Sequence, residues 1–516
     1  MELFNALLLL LATSILLIWL WLKNNYSYWQ RRNVETAPFS YLFGTLKDVT
    51  LQKEAFSTGT LKLYKKYKSK GAKHVGLYFL WETMYMPIDV DLVKSIMQVD
   101  FQHFVDRGVY VNEKADPLSA HLFSLEGKKW KLLRNKLTPT FTSGKMRMMF
   151  ETLVECTKGL GKVMDEEMGE AVDIKDILGR FTTDVIGSCA FGLNCNSLEN
   201  PKSEFREKGK AVFEKDFWEN LKEVILFLAP NFMKKLNISL TPKDVSDFFL
   251  NVVKDTVAYR EKEGVVRKDF LQLLIQLKNK GKLVDDEKVA EENITDEENS
   301  ITLDEICAQA FIFFEAGFET SSTTMTFSLY ELSKNKEIQE KARDEVRRVL
   351  ERHQGKLTYD AAMEMRYLEQ IINETLRKYP PLPVLNRICT KEYRVPGTDL
   401  VLEKGQRLMI PVIGIQSDPE YYPEPEKFDP DRFSEENKKN MKPYTFLPFG
   451  DGPRVCIGAR FGMMQTKVGL AALLLNYDFE VSEKTKEPID FEPKSFVMLT
   501  KGDVWLKYRR IAEIEL

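Results

Sequence analysis

The ten residues from Phe449 to Gly458, reading FGDGPRVCIG, carry the strongest chemical signal in this chain. Gly450 and Gly452 let the backbone turn tightly and aim amide N–H groups at a sulfur. Gly458 leaves room where the chain enters an apolar helical stretch, whose positive end favours a thiolate at Cys456. Arg454 adds a positive charge two residues earlier. Such a loop suits a cysteine that ligates a metal. Histidine offers no competing site: only His74, His103, His121 and His353 occur, and none has ligand spacing. The other five cysteines lie at 156, 189, 195, 307 and 389, with no C-x-x-C pair. Six in so long a chain make no disulfide framework, so the body of the chain reads as housed in a reducing compartment.

Three further groups have spacing that chemistry can use. Ala316-Gly317-Phe318-Glu319-Thr320 falls within a helical pattern. A helical glycine costs about 1 kcal/mol against alanine, which close approach of a planar group would explain; Gly317 and Thr320 share one face. A packing glycine beside a back-bonded threonine explains the motif alone equally well. Glu374 and Arg377 stand at i, i+3, the spacing of an ion pair, and Pro430-Asp431-Arg432-Phe433 supplies another arginine. Trp130 and Arg134, at i, i+4, share a helix face, as many surface pairs do.

Together these residues resemble the cytochrome P-450 family: its haem-binding signature F-x-x-G-x-R-x-C-x-G is matched at every fixed position, and A-G-x-x-T, E-x-x-R, P-x-R-F and W-x-x-x-R accompany it in order. The closest likeness is to insect microsomal xenobiotic-metabolising members, through AGFETSSTT at 316–324, TPKDVSDFF at 241–249 and Asp106-Arg107-Gly108. The resemblance implies haem b (iron protoporphyrin IX) with Cys456 as iron ligand, and a cofactor site including Phe449 and Gly317. It implies that Thr320 hydrogen-bonds dioxygen and that Glu319 belongs to a proton relay. Trp130, Arg134, Arg387, Arg454 and Arg107 are implied donors to the haem propionates. Glu374, Arg377 and Arg432 are implied to lock the fold around the cysteine loop. By position, Phe123, Phe213, Phe217, Phe314, Glu315, Val384, Leu385 and Met498 would line the substrate pocket. Glu315 departs from the family, where an apolar residue is usual; it would need a basic partner or would favour cationic substrates.

These residues need elements to position them. Thr302-Leu303-Asp304-Glu305 is a capping box opening a helix to about Asn335, roughly 50 Å long, which should be buried nearly all round. A helix over 360–379 stops at Pro380-Pro381. Strand-like runs lie at 392–396, 400–402 and 407–413. An apolar helix over 459–476 follows the cysteine loop, and 495–509 suggests a hairpin turning at Lys501-Gly502-Asp503. Thr241 reads as the cap of a helix with Pro242 at its first position. The acidic stretch 285–298 reads as a solvated loop. The expected fold is mainly α with minor β: one large domain with a long central helix, plus an N-terminal transmembrane helix.

Residues 3–22 carry no charge and match a bilayer core in length, ending at Trp19 and Trp21. Lys23, Arg31 and Arg32 follow, which places the body on the cytoplasmic side. The expected division is an anchor over 1–22, a linker or hinge over 23–45 and a catalytic domain over 46–516. Only Pro38 stands where microsomal relatives carry a proline-rich hinge. The run VILFLAPNFM at 224–233 is too short to span and fits either the membrane interface or the core. With 74 basic and 77 acidic residues the chain is no dedicated nucleic-acid binder. It has no G-x-G-x-x-G and no P-loop, so electrons from NADPH must arrive through a partner. The resemblance implies a membrane-bound NADPH–cytochrome reductase, with a cytochrome b-type donor in support. Lys128, Lys129, Lys131, Lys136, Lys438, Lys439 and Lys442 offer basic faces to acidic partners.

The implied activity is insertion of one atom of dioxygen into a lipophilic xenobiotic or endogenous molecule at the endoplasmic reticulum membrane. The rivals are a reductase-independent haem-thiolate isomerase or dehydratase of the same fold, a non-catalytic haem-binding protein, and an anchored helical scaffold without haem.

Overall fold

The computed structural model describes the chain apart from residues 214–215, 282, 284–299, 513 and 515–516 and the side chains of Glu2 and Phe217. The expected acidic loop at 285–298 therefore lies outside the described residues. Helix dominates, at 57% of residues, with minor sheet, as the composition of motifs implied. The chain divides into two compact units, the first of residues 1–108, 382–423 and 442–454, the second of residues 109–381, 424–441 and 455–516.

The first unit is built on a four-stranded sheet. Strand His74–Phe79 pairs antiparallel with Glu82–Pro87, which runs parallel to Arg407–Ile410, itself antiparallel to Leu385–Ile388. The expected strand 407–413 stops at Ile410 because Pro411 has no N–H for the ladder and opens the short helix Val412–Gln416. The N-terminal helix Glu2–Tyr26 carries its apolar stretch wholly outside the core. Within the stretch expected as a linker or hinge, 23–45, Tyr26, Trp29, Val34 and Ala37 are buried in this unit's core. Trp29 lies across the sheet, its Nε1 donating to Leu77 O at 3.0 Å. Gly76 makes this possible, since a Cβ there would stand 2.3 Å from the indole.

The second unit is organised on helix Leu303–Lys334. Its start is the expected capping box, with Thr302 Oγ1 accepting from Glu305 N and Glu305 accepting from Thr302 N. Helices Ile174–Ile186, Lys243–Glu263 and Ala459–Asn476 pack on it. Phe191, Phe205, Phe249, Phe311, Phe314 and Phe318 form an aromatic core beside it, with ring centroids 5.0–6.3 Å apart.

Three local expectations change, and a fourth segment, left open between interface and core, is now described. Pro242, not Thr241, is the cap of helix Lys243–Glu263, and no side chain caps that end. The helix expected over 360–379 is two, Tyr359–Glu364 and Arg366–Lys378, broken where Met365 takes ψ 80. No hairpin forms over 495–509. Strand Trp505–Arg510 pairs instead with Tyr477–Val481 and Val172–Asp173. The run at 224–233 spans two helices, Phe217–Leu228 and Pro230–Lys235: Leu226 is buried, while Ile225 and Phe232 face outward.

Candidate active site

The cysteine loop is shaped by its glycines. Gly450 and Gly452 take φ of +69 and +68, and a Cβ at Gly452 would lie 2.0 Å from Met97 O. No L side chain but glycine's hydrogen fits there. Gly458 needs no such freedom: its φ is −87, and it caps helix Ala459–Asn476. Cys456 is exposed and outside any disulfide. Its charge reaches Arg134: burial lowers the Arg134 pKa, and the Cys456 thiolate raises it. Arg134 stands on helix Gly127–Leu137, one turn after the buried Trp130.

Burial along the long helix is interrupted at one place. Between Phe311 and Ser321, only Phe314 and Phe318 are buried, Ala316 is exposed, and Glu315, Gly317, Glu319 and Thr320 are half-buried. The helix thus presents the expected motif on an accessible face. Thr320 Oγ1 donates to Ala316 O at 2.5 Å, which leaves its oxygen lone pairs as acceptors. Thr323 Oγ1 donates to Glu319 Oε1 at 3.5 Å.

The ion cluster is fully enclosed. Arg377 donates from Nε and Nη2 to the two oxygens of Glu374 at 2.7 and 2.9 Å, and neither side chain is exposed. Arg432 Nε lies 3.4 Å from Glu374, Asp429 N donates to the same carboxylate, and Arg377 Nη2 reaches Pro425 O. Arg432 Nη2 donates to Glu424 O. Segment 424–432 is therefore pinned to helix Arg366–Lys378 by a charge network whose desolvation only this geometry offsets.

The remaining arginines differ in their commitments. Arg387 is 2% exposed, its Nη1 donates to Asn386 O, and its Nε has no partner. Burial alone pushes its pKa down to about 10, and no carboxylate among the described residues pairs with it. Arg454 is buried, donating from Nε to Val105 O and lying 3.5 Å from Asp106. Arg107 Nη2 donates to Arg454 O at 3.0 Å. Asp106 was not among the expected site residues, although the phrase Asp106-Arg107-Gly108 marked its neighbourhood.

The pocket candidates divide. Phe123, Phe213, Leu385 and Glu315 are half-buried, as is Phe449 in the cysteine loop. Phe314 is fully buried against other phenylalanines, and Val384 is buried in the first unit's core. Met498 is buried, its N–H donating to Pro381 O. Phe217 opens its helix, but its side chain lies outside the described residues.

These residues fit an anionic macrocycle with a metal. In the second unit the Cys456 thiol is accessible and the long helix is bared around Ala316; in the first unit, taken by itself, the buried Arg387 guanidinium has no carboxylate partner among the described residues.

The chain belongs to the cytochrome P450 family, whose model matches residues 37–506. It is therefore a haem-dependent, dioxygen-using monooxygenase. Probable cytochrome P450 6a14 of Drosophila melanogaster is 44% identical, over 94% of this chain and 96% of the relative. Cytochrome P450 6a2 of the same organism is 42% identical, over 98% and 99%. The family assignment removes the haem-free scaffold from consideration.

Proposed function

We propose that this chain inserts one atom of dioxygen into a lipophilic small molecule while the other leaves as water, drawing two electrons from NADPH through a separate membrane-bound reductase. The observation that carries this reading is Arg387, a buried cation with no carboxylate partner among the described residues, which a haem propionate would supply. When bound, haem with a thiolate ligand supplies the chemistry of O–O cleavage.

Every other task falls to the chain. Cys456 ligates the iron, with the N-terminus of helix Ala459–Asn476 favouring its anionic form. In the second unit Trp130 and Arg134, and in the first Arg387, would each be able to donate to a haem propionate, and Arg454 orders the loop through Val105 and Asp106. Gly317 serves packing: a Cβ there would meet Ile186 Cδ1 at 2.5 Å, so the glycine lets helix Ile174–Ile186 lie close against the long helix. Thr320 accepts and donates a proton on the accessible face, with Glu319 one residue away to replenish it. Half-buried Phe123, Phe213 and Leu385 offer an apolar lining that suits a lipophilic substrate, xenobiotic or endogenous.

The N-terminal helix fits a membrane anchor. The positive charge that follows it supports a body on the cytoplasmic side of the endoplasmic reticulum, where the reductase and a cytochrome b-type donor would serve it. Lys128, Lys131 and Lys439 are exposed and available for steering, whereas Lys129 is tied to Glu113 at 2.7 Å and Lys438 faces Glu369.

The test is the carbon monoxide difference spectrum of the reduced protein beside Cys456→Ser. A red-shifted band that the substitution abolishes supports thiolate ligation. An unchanged band in the variant overturns the assignment of Cys456.

A further inference from the structure

Segment 110–124 of the second unit is tied at both ends to partners far away in sequence. At its start, Tyr110 Oη donates to Ile238 O at 2.6 Å, and Asp116 Oδ2 accepts from Leu240 N at 3.0 Å and from Thr241 N at 2.9 Å. At its end, Gln309 on the long helix accepts from Leu122 N at 2.9 Å and donates to Ala120 O at 3.4 Å. Asp116 and Gln309 are both fully buried. Between the ties the segment holds its own shape. Asp116 N donates to Asn112 O, and Ser119 Oγ accepts from Asn112 N while donating to Asp116 O. The segment is therefore one stiffened piece.

The turn that it grips lacks a cap of its own. Residues 236–241 link helix Pro230–Lys235 to helix Lys243–Glu263, whose first turn no side chain caps. Leu240 N and Thr241 N, just ahead of that helix, find their acceptor in Asp116 instead. Burying a carboxylate is costly unless donors surround it. The described residues give Asp116 two donors, both backbone, and its Oδ1 has no partner among them. An apolar side chain would fill this place at lower cost, so the gain lies in holding the turn.

What the ties position is Phe123. Its neighbour Leu122 is held by Gln309, and Gln309, Ala316 and Thr320 share one face of the long helix at i, i+7 and i+11. Gln309 lies about 10 Å from Ala316 along the axis at 1.5 Å per residue. The backbone of half-buried Phe123 therefore sits at the N-terminal end of the bared face.

We propose that Asp116, seconded by Tyr110, is a positioning residue that sets the size of molecule admitted beside Thr320. By gripping residues 238–241 it holds segment 110–124, and Phe123 with it, against the bared face. This rests on the reading of that face as the place where the substrate is oxidised. With the grip intact the wall is fixed and slim lipophilic molecules are preferred. With the grip released the wall yields to bulkier ones.

The test uses the haem-loaded full chain and two azoles that report binding through the Soret shift of a nitrogen-ligated iron: phenylimidazole as the slim probe and tritylimidazole as the bulky one. In Asp116→Ala the ratio of bulky to slim affinity should rise about tenfold, since two bonds are lost, and Asp116→Asn, which keeps an acceptor, should restore it. Tyr110→Phe removes only the bond to Ile238 O and leaves Asp116 in place; it should raise the ratio about fivefold, and it carries the test if the alanine variant does not fold. Amide exchange should quicken at 117–124 and 238–241 but not in helix Ala459–Asn476. An unchanged ratio, a ratio raised as much by Asp116→Asn as by Asp116→Ala, or exchange quickened throughout the chain would overturn the role of Asp116 and leave the haem site standing. No Soret shift with either azole in the natural protein would remove the haem-thiolate reading and this inference with it.

Discussion

Replacing Arg387 with methionine should change stability in opposite directions with and without haem. Methionine roughly preserves the stem of the side chain and removes the charge. Burial has pushed the Arg387 pKa down to about 10. At 1.36 kcal/mol per decade, holding this group charged at pH 7 costs about 3 kcal/mol. The sign is that of a depressed base. The penalty is fully present below pH 10 and is relieved only as pH rises above it. Against it stands one bond, Nη1 to Asn386 O at 2.8 Å, worth about 1.5 kcal/mol for a charged donor. Haem-free Arg387→Met should therefore be more stable than the natural protein by about 1–2 kcal/mol. On the proposed assignment a bound propionate would pair with this guanidinium, and removing one partner of a buried pair costs about 3–5 kcal/mol. Urea unfolding of both forms measures the first effect, and the rate of haem transfer to an accepting globin measures the second. A haem-free variant less stable than the natural protein, or an unchanged rate of haem loss, would refute the assignment of Arg387 as a cation awaiting an anion.

Glu374→Ala leaves Arg377 fully buried and uncompensated, so unfolding free energy should fall by about 3–5 kcal/mol in denaturant titration. Gly452→Ala forces a Cβ toward Met97 O in a left-handed backbone, and the carbon monoxide band should shrink because the cysteine loop no longer closes. Asp173 is pushed up to about 6 by burial, with Asp503 adding to it. The folded state then holds a proton that the unfolded state has lost, so the stability this group contributes below pH 4 disappears as pH rises to 6. Asp173→Asn keeps the acceptor for Lys175 N and Val504 N, and thermal unfolding from pH 4 to 7 should lose that component.

The elements legible from sequence were those whose ends are written locally. Thr302 and Glu305 cap each other within one turn, Pro380 stops a helix by its own chemistry, and the apolar helix Ala459–Asn476 has the expected bounds. Strand partners were not legible, because Trp505–Arg510 finds Tyr477–Val481 through tertiary packing rather than through the glycine turn beside it. Phe314 illustrates the same limit at the site. Its spacing fits a pocket wall, but burial among five other rings is set by helices far away in sequence. Glu374 and Arg377 at i, i+3 look like any surface pair; only segment 424–432, some fifty residues on, turns them into a buried cluster. Trp29 escaped notice because an apolar anchor next to it dominates the pattern, while its burial depends on Gly76 in a strand beyond.

The parallel pairing of Glu82–Pro87 with Arg407–Ile410 has a consequence in time. The second strand is made about 320 residues after the first, which at 5–20 residues per second means roughly 16–64 s of synthesis. Through that interval the first hairpin exists with one open edge, and an open edge is a template for pairing with any neighbouring strand. Nascent copies on one polysome would present the same edge to one another. The period of greatest danger for this protein therefore falls during its manufacture, and the cell's ability to shield that edge for tens of seconds should set the yield of intact molecules more than the final stability does.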